Sequence, residues 1–329
     1  MITTNTSIAE MAALLKAAPA VLIYCHQRPD GDTLGSALAL KAALAGTPVE
    51  IVTPDPIPNY IRFLTGGRTD LTREALPSGF LARTDLLRVA LDVADVPMLG
   101  AYAEDAPLID LRIDHHIPRN LTLGKQYYID SDAPACGQIL YHLLLTMNAI
   151  DRRTAEPLYV AISSDTGGFR YANTNAETLE IAAALTRTGI STFRINHALY
   201  CNRTRGELRA QQLALESLSY YADGRVAVIA IDSAAKAAAG VTDEDLGDIN
   251  RLPREIEGVE LGITIRQTDA GNTYKISMRA GETVDASLLC GAFGGGGHKG
   301  AAGASITADS IAEAKEQVLA VALEAFHGK

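Results

Sequence analysis

The hydrophobic pattern changes character near the middle of the chain. In the first half, short apolar runs at residues 21–25, 50–53, 87–91, 108–113 and 127–130 alternate with longer amphipathic segments. The short runs predict strands, and the segments between them predict helices at 33–45, 135–147 and 152–164, the last with Pro157 near its start. Strands and helices in that alternation predict an α/β fold with a doubly wound, mainly parallel sheet. Residues 176–221 read almost entirely as helix, punctuated by Gly189 and Gly206, and the domain division is expected there. Beyond it, alternating runs at 225–231, 259–266 and 273–279 predict strands, with helices at 285–292 and 310–326, a smaller α/β domain. The expected organisation is a first domain at 1–190, a helical linker at 191–222 and a second domain at 223–329.

Composition changes this picture little. The chain has 329 residues, of which 47% are hydrophobic and 21% charged, enough for two cores. Its net charge of −10 argues against a groove that grips long nucleic acid, because backbone binding needs clustered Lys and Arg. Cys25, Cys136, Cys201 and Cys290 lie far apart, so neither a zinc knuckle nor a disulfide framework is indicated, and a reducing cytoplasm fits. Lys16 interrupts the first apolar stretch, no basic lead precedes it, and no run reaches membrane-spanning length, so neither a signal peptide nor a bilayer partner is expected.

The chemistry gathers where the predicted strands end. The first runs directly into His26-Gln-Arg-Pro-Asp30-Gly-Asp32, and in an open α/β sheet such loops, beyond the carboxyl ends of strands, bind ligands. Asp32 alone would equally well cap the following helix, and Asp30 sits in a Pro-Asp-Gly turn. Three further segment ends shift that balance: Asp92, the run Asp114-His115-His116, and Asp165. Carboxylates gathered at one sheet edge repel one another unless cations lie between them. Carboxylate and imidazole donors without thiolate suit manganese or magnesium, with cobalt or zinc as competitors. Two such ions about 3.5–4 Å apart would generate hydroxide and neutralise a phosphoryl transition state.

With these motifs the chain resembles the DHH phosphoesterases, named for the run found here as Asp114-His115-His116. The resemblance takes in His26-x-x-x-Asp30-Gly-Asp32, Asp92, Asp165 and the Gly294-Gly295-Gly296-Gly297-His298 segment of the DHH-associated C-terminal domain, and it spans essentially the whole chain. It implies that His26 and Asp30 bind one metal, that Asp32, His115 and Asp165 bind a second, and that Asp92 bridges them. Asp114 would orient the neighbouring histidines, and His116 would face substrate as hydrogen-bond donor or general acid. Arg279 and the glycine segment with His298 would hold a terminal phosphate, since glycine lets backbone N–H groups approach an anion.

Within the family the short two-domain form most resembles the oligoribonuclease and 3′-phosphoadenosine 5′-phosphate phosphatase subgroup. That resemblance implies a short oligonucleotide or a mononucleotide bisphosphate bound between the domains, and a homodimer is compatible with it. A stand-alone cyclic di-AMP phosphodiesterase carries the same motifs. A non-catalytic nucleotide sensor would be marked by lost metal ligands, and every expected ligand is present.

Overall fold

The computed structural model describes residues 1–118, 121–268 and 271–326, leaving outside that description the side chains of Asp248 and His298. The chain forms two compact units, Met1–Asn202 and Arg203–Lys329. The segment expected as a linker, 191–222, is divided between them.

The first unit is built on strands β1 (Ile2–Thr4), β2 (Ala20–Tyr24), β3 (Val49–Val52), β4 (Leu86–Leu91), β5 (Leu111–Asp114) and β6 (Gln126–Asp130), with helices α1 (Ile8–Ala17), α2 (Gly31–Ala43), α3 (Cys136–Thr146), α4 (Arg152–Asp165), α5 (Ala176–Arg187) and α6 (Thr192–Asn196). The sheet order is β1-β6-β5-β4-β2-β3, parallel throughout except for the β1–β6 edge pair. Both faces are covered, which is why the central strands are continuous apolar runs. On β2, Val21 and Ile23 join a core formed with Met11, Leu34, Leu40, Leu143 and Ile162 of α1 to α4. Ala20, Leu22 and Tyr24 face the other way, onto Leu99 and Tyr102 of the 3₁₀ segment Val96–Leu108. Connections thus leave β2 and β4 on opposite faces, and the strand order switches between these two neighbours.

Two glycines set the spacing of the helices that matter for the site. A Cβ at Gly35 would lie 2.5 Å from the carbonyl oxygen of Pro157, and one at Gly31 would lie 2.5 Å from Ser164 Oγ. Close packing of α2 on α4 therefore depends on the absence of a side chain at these positions. α4 itself starts with a capping box, Asp151 with Thr154, and keeps Pro157 inside its helical course.

The second unit comprises α7 (Arg205–Glu216), β7 (Ser219–Tyr221), β8 (Val226–Ile231), α8 (Ser233–Ala239), β9 (Leu261–Gln267), β10 (Thr273–Ala280), α9 (Ala286–Gly291), β11 (Gly296–His298), β12 (Ala301–Thr307) and α10 (Ile311–Glu324). Its sheet runs β11-β12-β10-β9-β8-β7, with β8–β9 parallel and the other pairs antiparallel. Val226 and Val228 pack toward Val318 and Ala322 of α10, whereas Ile229 and Ile231 pack toward Ala210 and Ala214 of α7.

Several expectations are corrected. Gly206 is no break: it sits in the first turn of α7, where a Cβ would lie 2.1 Å from Asp245 Oδ1, so packing is what requires glycine. The helical stretch does not reach 221, because 219–221 is strand. The strand expected from 108 starts at Leu111, since the 3₁₀ segment with Pro107 occupies the residues before it. Helix α1 lies outside the expected elements, although Ser7 and Glu10 form a capping box that signals it. No helix among the described residues is long and apolar enough to cross a membrane.

Candidate metal centre

Parallel alignment brings the carboxyl ends of β2, β4 and β5 to one edge, at the point where strand order switches. His26 and Asp30 lie between β2 and α2, Asp32 in the first turn of α2, and Asp92 directly after β4. Asp114 closes β5, His115 and His116 follow it, and Asp165 is the last residue of α4. All seven candidate ligands and orienting groups of the first unit are thus brought together, and so is His116.

Asp92 is at the centre. Its N–H continues the sheet by donating to Ile113 O at 2.9 Å, after which the chain turns left-handed with φ 60°. Aspartate is one of the few side chains that tolerate this region. The turn delivers a buried carboxylate whose Oδ2 is 3.3 Å from His26 Nε2 and whose Oδ1 is 3.4 Å from His115 Nε2. His26 Nε2 also lies 3.5 Å from Asp30 Oδ1, while His115 Nε2 lies 3.3 Å from Asp165 Oδ2 and 3.7 Å from Asp32 Oδ2. Donor atoms cluster within 4.8 Å as His26-Asp30-Asp92, as Asp32-His115-Asp165, and as Asp92-His115-His116.

The surrounding backbone fixes which imidazole nitrogen faces the carboxylates. His26 Nδ1 is 2.7 Å from Gln27 O and His115 Nδ1 is 3.1 Å from Ala133 O. A carbonyl can only accept, so each Nδ1 carries a proton and each Nε2 faces the carboxylates, the nitrogen that would take a metal once its own proton is shed.

Two carboxylates carry a second duty. Asp30 Oδ1 accepts from the N–H groups of Asp32 and Thr33 at 3.0 and 3.1 Å, capping α2. Asp32, which the sequence offered as the cap of that helix, instead caps α3 from a distance. Its Oδ2 accepts from Cys136 N at 2.6 Å and its Oδ1 from Gly137 N at 2.8 Å, and Ser36 Oγ adds a bond at 3.2 Å. Ala135, at the N-cap of α3, offers no side chain of its own for this.

Electrostatics follow from crowding. Burial opposes a charge on His26 and His115, but the close carboxylates of Asp30 and Asp92, and of Asp165 and Asp92, push each up to about 12. Burial alone would raise Asp92, yet the two imidazoles hold it well below the usual carboxylate range. Burial raises Asp165 to about 6 against the pull of His115, and it raises Asp32 together with the charges of Asp92 and Asp165. In the metal-free protein, protons on the histidines therefore offset the carboxylates. Even so, Asp92 Oδ1 and His115 Nε2 are buried without a hydrogen-bond partner. Orphaned donor atoms of this kind, in an oxygen and nitrogen set without thiolate, fit a divalent cation.

Beside the cluster, His116 Nδ1 lies 2.9 Å from Asp114 Oδ1, leaving Nε2 as its other nitrogen. Thr33 was missed in the sequence: its Oγ1 donates to Leu91 O at 2.9 Å and accepts from His26 N at 3.4 Å, tying β4 to the His26 loop. Nothing in one sequence distinguishes such a threonine from an ordinary helix residue.

In the second unit, Arg279 pairs in register with Ala301, and Ala301 pairs with His298, so the three backbone positions line up across β10, β12 and β11. The side chain of His298 lies outside the described residues. The glycine segment is partly a strand, β11, and the hairpin itself needs most of the glycines. Gly294 is left-handed at φ 71°, and a Cβ at Gly295 or Gly297 would lie 2.3 or 2.6 Å from the carbonyl oxygen of Gly303 or Ala301. Gly296 meets neither demand.

Fold and donor set together define a two-unit α/β protein with a carboxylate–imidazole centre suited to divalent metal. The chain belongs to the DHH family: residues 20–162 match the DHH family N-terminal domain and residues 223–327 match the DHHA1 domain. A relative from Thermus thermophilus, named bifunctional oligoribonuclease and PAP phosphatase NrnA, is 29% identical over 313 residues, covering 94% of this chain and 91% of that protein. A Bacillus subtilis protein of the same name is 24% identical over 299 residues, covering 87% and 89%. The crystal structure of an exopolyphosphatase-related protein from Bacteroides fragilis shares the fold with a TM-score of 0.86, at 22% identity, covering 97% of this chain and 95% of that one.

Proposed function

We propose that the protein is a metal-dependent phosphoesterase that hydrolyses short nucleotides, namely oligoribonucleotides, linear dinucleotides and 3′-phosphoadenosine 5′-phosphate. The observation that carries this reading is Asp92, whose two oxygens face two separate histidine–carboxylate groups. His26 and Asp30 would hold one divalent ion, Asp32, His115 and Asp165 a second, and Asp92 both, with manganese the first choice for the ion. Such ions, when bound, supply a nucleophilic hydroxide and neutralise charge on the phosphoryl group. The relatives named oligoribonuclease and PAP phosphatase support the substrate class.

The remaining chemistry falls to the protein. A P–O bond forms to water, the ester P–O bond breaks, and the leaving oxygen needs a proton. His116, held through Nδ1 by Asp114, has Nε2 to donate it. Arg279, in register with the glycine-segment strand, would hold another phosphate of the same nucleotide, so that short, doubly anchored substrates are preferred.

A manganese-supplemented assay on short RNA, 3′-phosphoadenosine 5′-phosphate and cyclic di-AMP tests the reading. Hydrolysis of the first two is expected, with Arg279→Ala raising KM more than it lowers kcat. Hydrolysis of cyclic di-AMP alone would replace the proposal with a cyclic-dinucleotide phosphodiesterase. No hydrolysis at all would reduce the protein to a nucleotide-sensing module.

A further inference from the structure

Arg112 is the largest fully buried side chain among the described residues, and it lies on a central strand. Leu111 and Ile113 of β5 face the helical core, so strand alternation places Arg112 and Asp114 together on the opposite face. A strand buried on both sides ordinarily carries apolar residues, and a guanidinium there is costly unless paired. Its partner is Asp114, whose Oδ2 accepts from Arg112 Nη2 at 2.5 Å. The other oxygen, Oδ1, serves the histidines: it accepts from His115 N at 2.8 Å and His116 N at 3.2 Å, and lies 2.9 Å from His116 Nδ1. The carboxylate is thus shared, one oxygen to the arginine and one to the histidine pair. With the first oxygen pinned, rotation of the Asp114 carboxylate would break the guanidinium bond and the imidazole contact at once.

We infer that Arg112 is a positioning residue for the phosphoester chemistry, fixing Asp114 and through it the orientation of His116. The inference rests on the proposed hydrolysis and on the proton-donating part given to His116. It separates Arg112 from an arginine that only supports the fold, because its effect must pass through one imidazole and scale with the need of the leaving group for a proton.

The test is a double-mutant cycle on the full-length protein with manganese, using Arg112→Met, His116→Gln and the pair, with short RNA and bis(p-nitrophenyl) phosphate as substrates. Nitrophenolate leaves readily without a proton, so comparing the two esters isolates the part of the rate that depends on the acid. Arg112→Met is expected to lower kcat on RNA about 10- to 100-fold, the usual range for a residue that orients a functional group, with KM little changed. It is expected to lower the rate on the nitrophenyl ester much less, and to cost nothing further once His116 is Gln. Arg112→Lys should restore part of the loss. Equal losses with both esters, or an undiminished loss in the His116→Gln background, would overturn the inference. If Arg112→Met does not fold, Arg112→Lys runs the same cycle, since it keeps the charge but not the planar fork. His116→Gln without effect on RNA would remove the acid assignment and this inference together, and a wild type inert on every ester would remove the proposed function itself.

Discussion

Replacing Asp92 by Asn separates charge from backbone at the centre of the cluster. Alanine would be a poor choice, because the left-handed φ of 60° at this position favours Asn and Asp. Asn keeps the size, the turn and the Asp92 N–H bond to Ile113, and removes only the charge that faces His26 at 3.3 Å and His115 at 3.4 Å. In the metal-free protein His26 keeps Asp30 and His115 keeps Asp165 as a charge partner once the Asp92 carboxylate is gone, so no buried charge is stranded. Stability should then change by no more than about 1 kcal/mol.

With metal the two proteins should part. At an ion concentration one hundred times Kd, binding adds about 2.7 kcal/mol to the wild type, and a hundredfold loss of affinity would leave about 0.4 kcal/mol. For a unit the size of Met1–Asn202, that contrast is a rise in melting temperature of about 5–11 °C against about 1–2 °C. Thermal melts at increasing manganese, beside an activity assay, measure both quantities on one sample. A full wild-type rise in the Asp92→Asn protein, or retained hydrolysis, would refute the placing of Asp92 between two ions.

Asp32→Ala should behave differently, destabilising even the metal-free protein by about 2–4 kcal/mol, because two buried N–H groups lose their acceptor, partly offset by relief of carboxylate crowding. Urea unfolding without metal checks this, and an unchanged midpoint would contradict the capping of α3. Gly35→Ala, whose new Cβ would press within 2.5 Å of the Pro157 carbonyl, should cost about 1–3 kcal/mol and weaken metal binding as α2 and α4 part; normal manganese affinity in a destabilised variant would show that helix spacing does not set the site. Metal binding should release protons, since His26 and His115 hold theirs with pKa values pushed up to about 12 and must give them up to become ligands. Affinity should therefore rise with pH, and binding heats equal in buffers of different ionisation enthalpy would argue against it.

The first unit was legible where chemistry coincides with strand ends. His26, Asp92 and Asp114 each follow or close an apolar run, so a strand reading places them at one edge without any contact being known. What lay beyond the sequence is whatever acts across it. Asp32 caps a helix that begins 104 residues later, and no local pattern encodes such a bond. The nitrogens of His26 and His115 are oriented by main-chain carbonyls, which every residue has. The glycine segment answers to a second demand. Its composition suggested an anion cradle, but at Gly294, Gly295 and Gly297 the hairpin needs glycine for its own geometry. Glycine content there is evidence of close backbone packing first, and the phosphate reading leans on Arg279 and strand register.

The cluster also shows why its carboxylates cannot be ranked by burial. Asp32, Asp92 and Asp114 are all essentially inaccessible, yet each is held by a different kind of partner. Asp32 is anchored mainly by main-chain N–H groups, Asp114 by a guanidinium and an imidazole besides two main-chain N–H groups, and Asp92, among the described residues, by the histidines around it. Anchors made of backbone amides persist whatever the charge in the site, whereas histidines exchange a proton for a metal. The fold therefore fixes the rim of the centre and leaves its middle open to a divalent cation. Under the proposed function, that division would let one arrangement of side chains survive without metal while keeping the Asp92 carboxylate free to bind it.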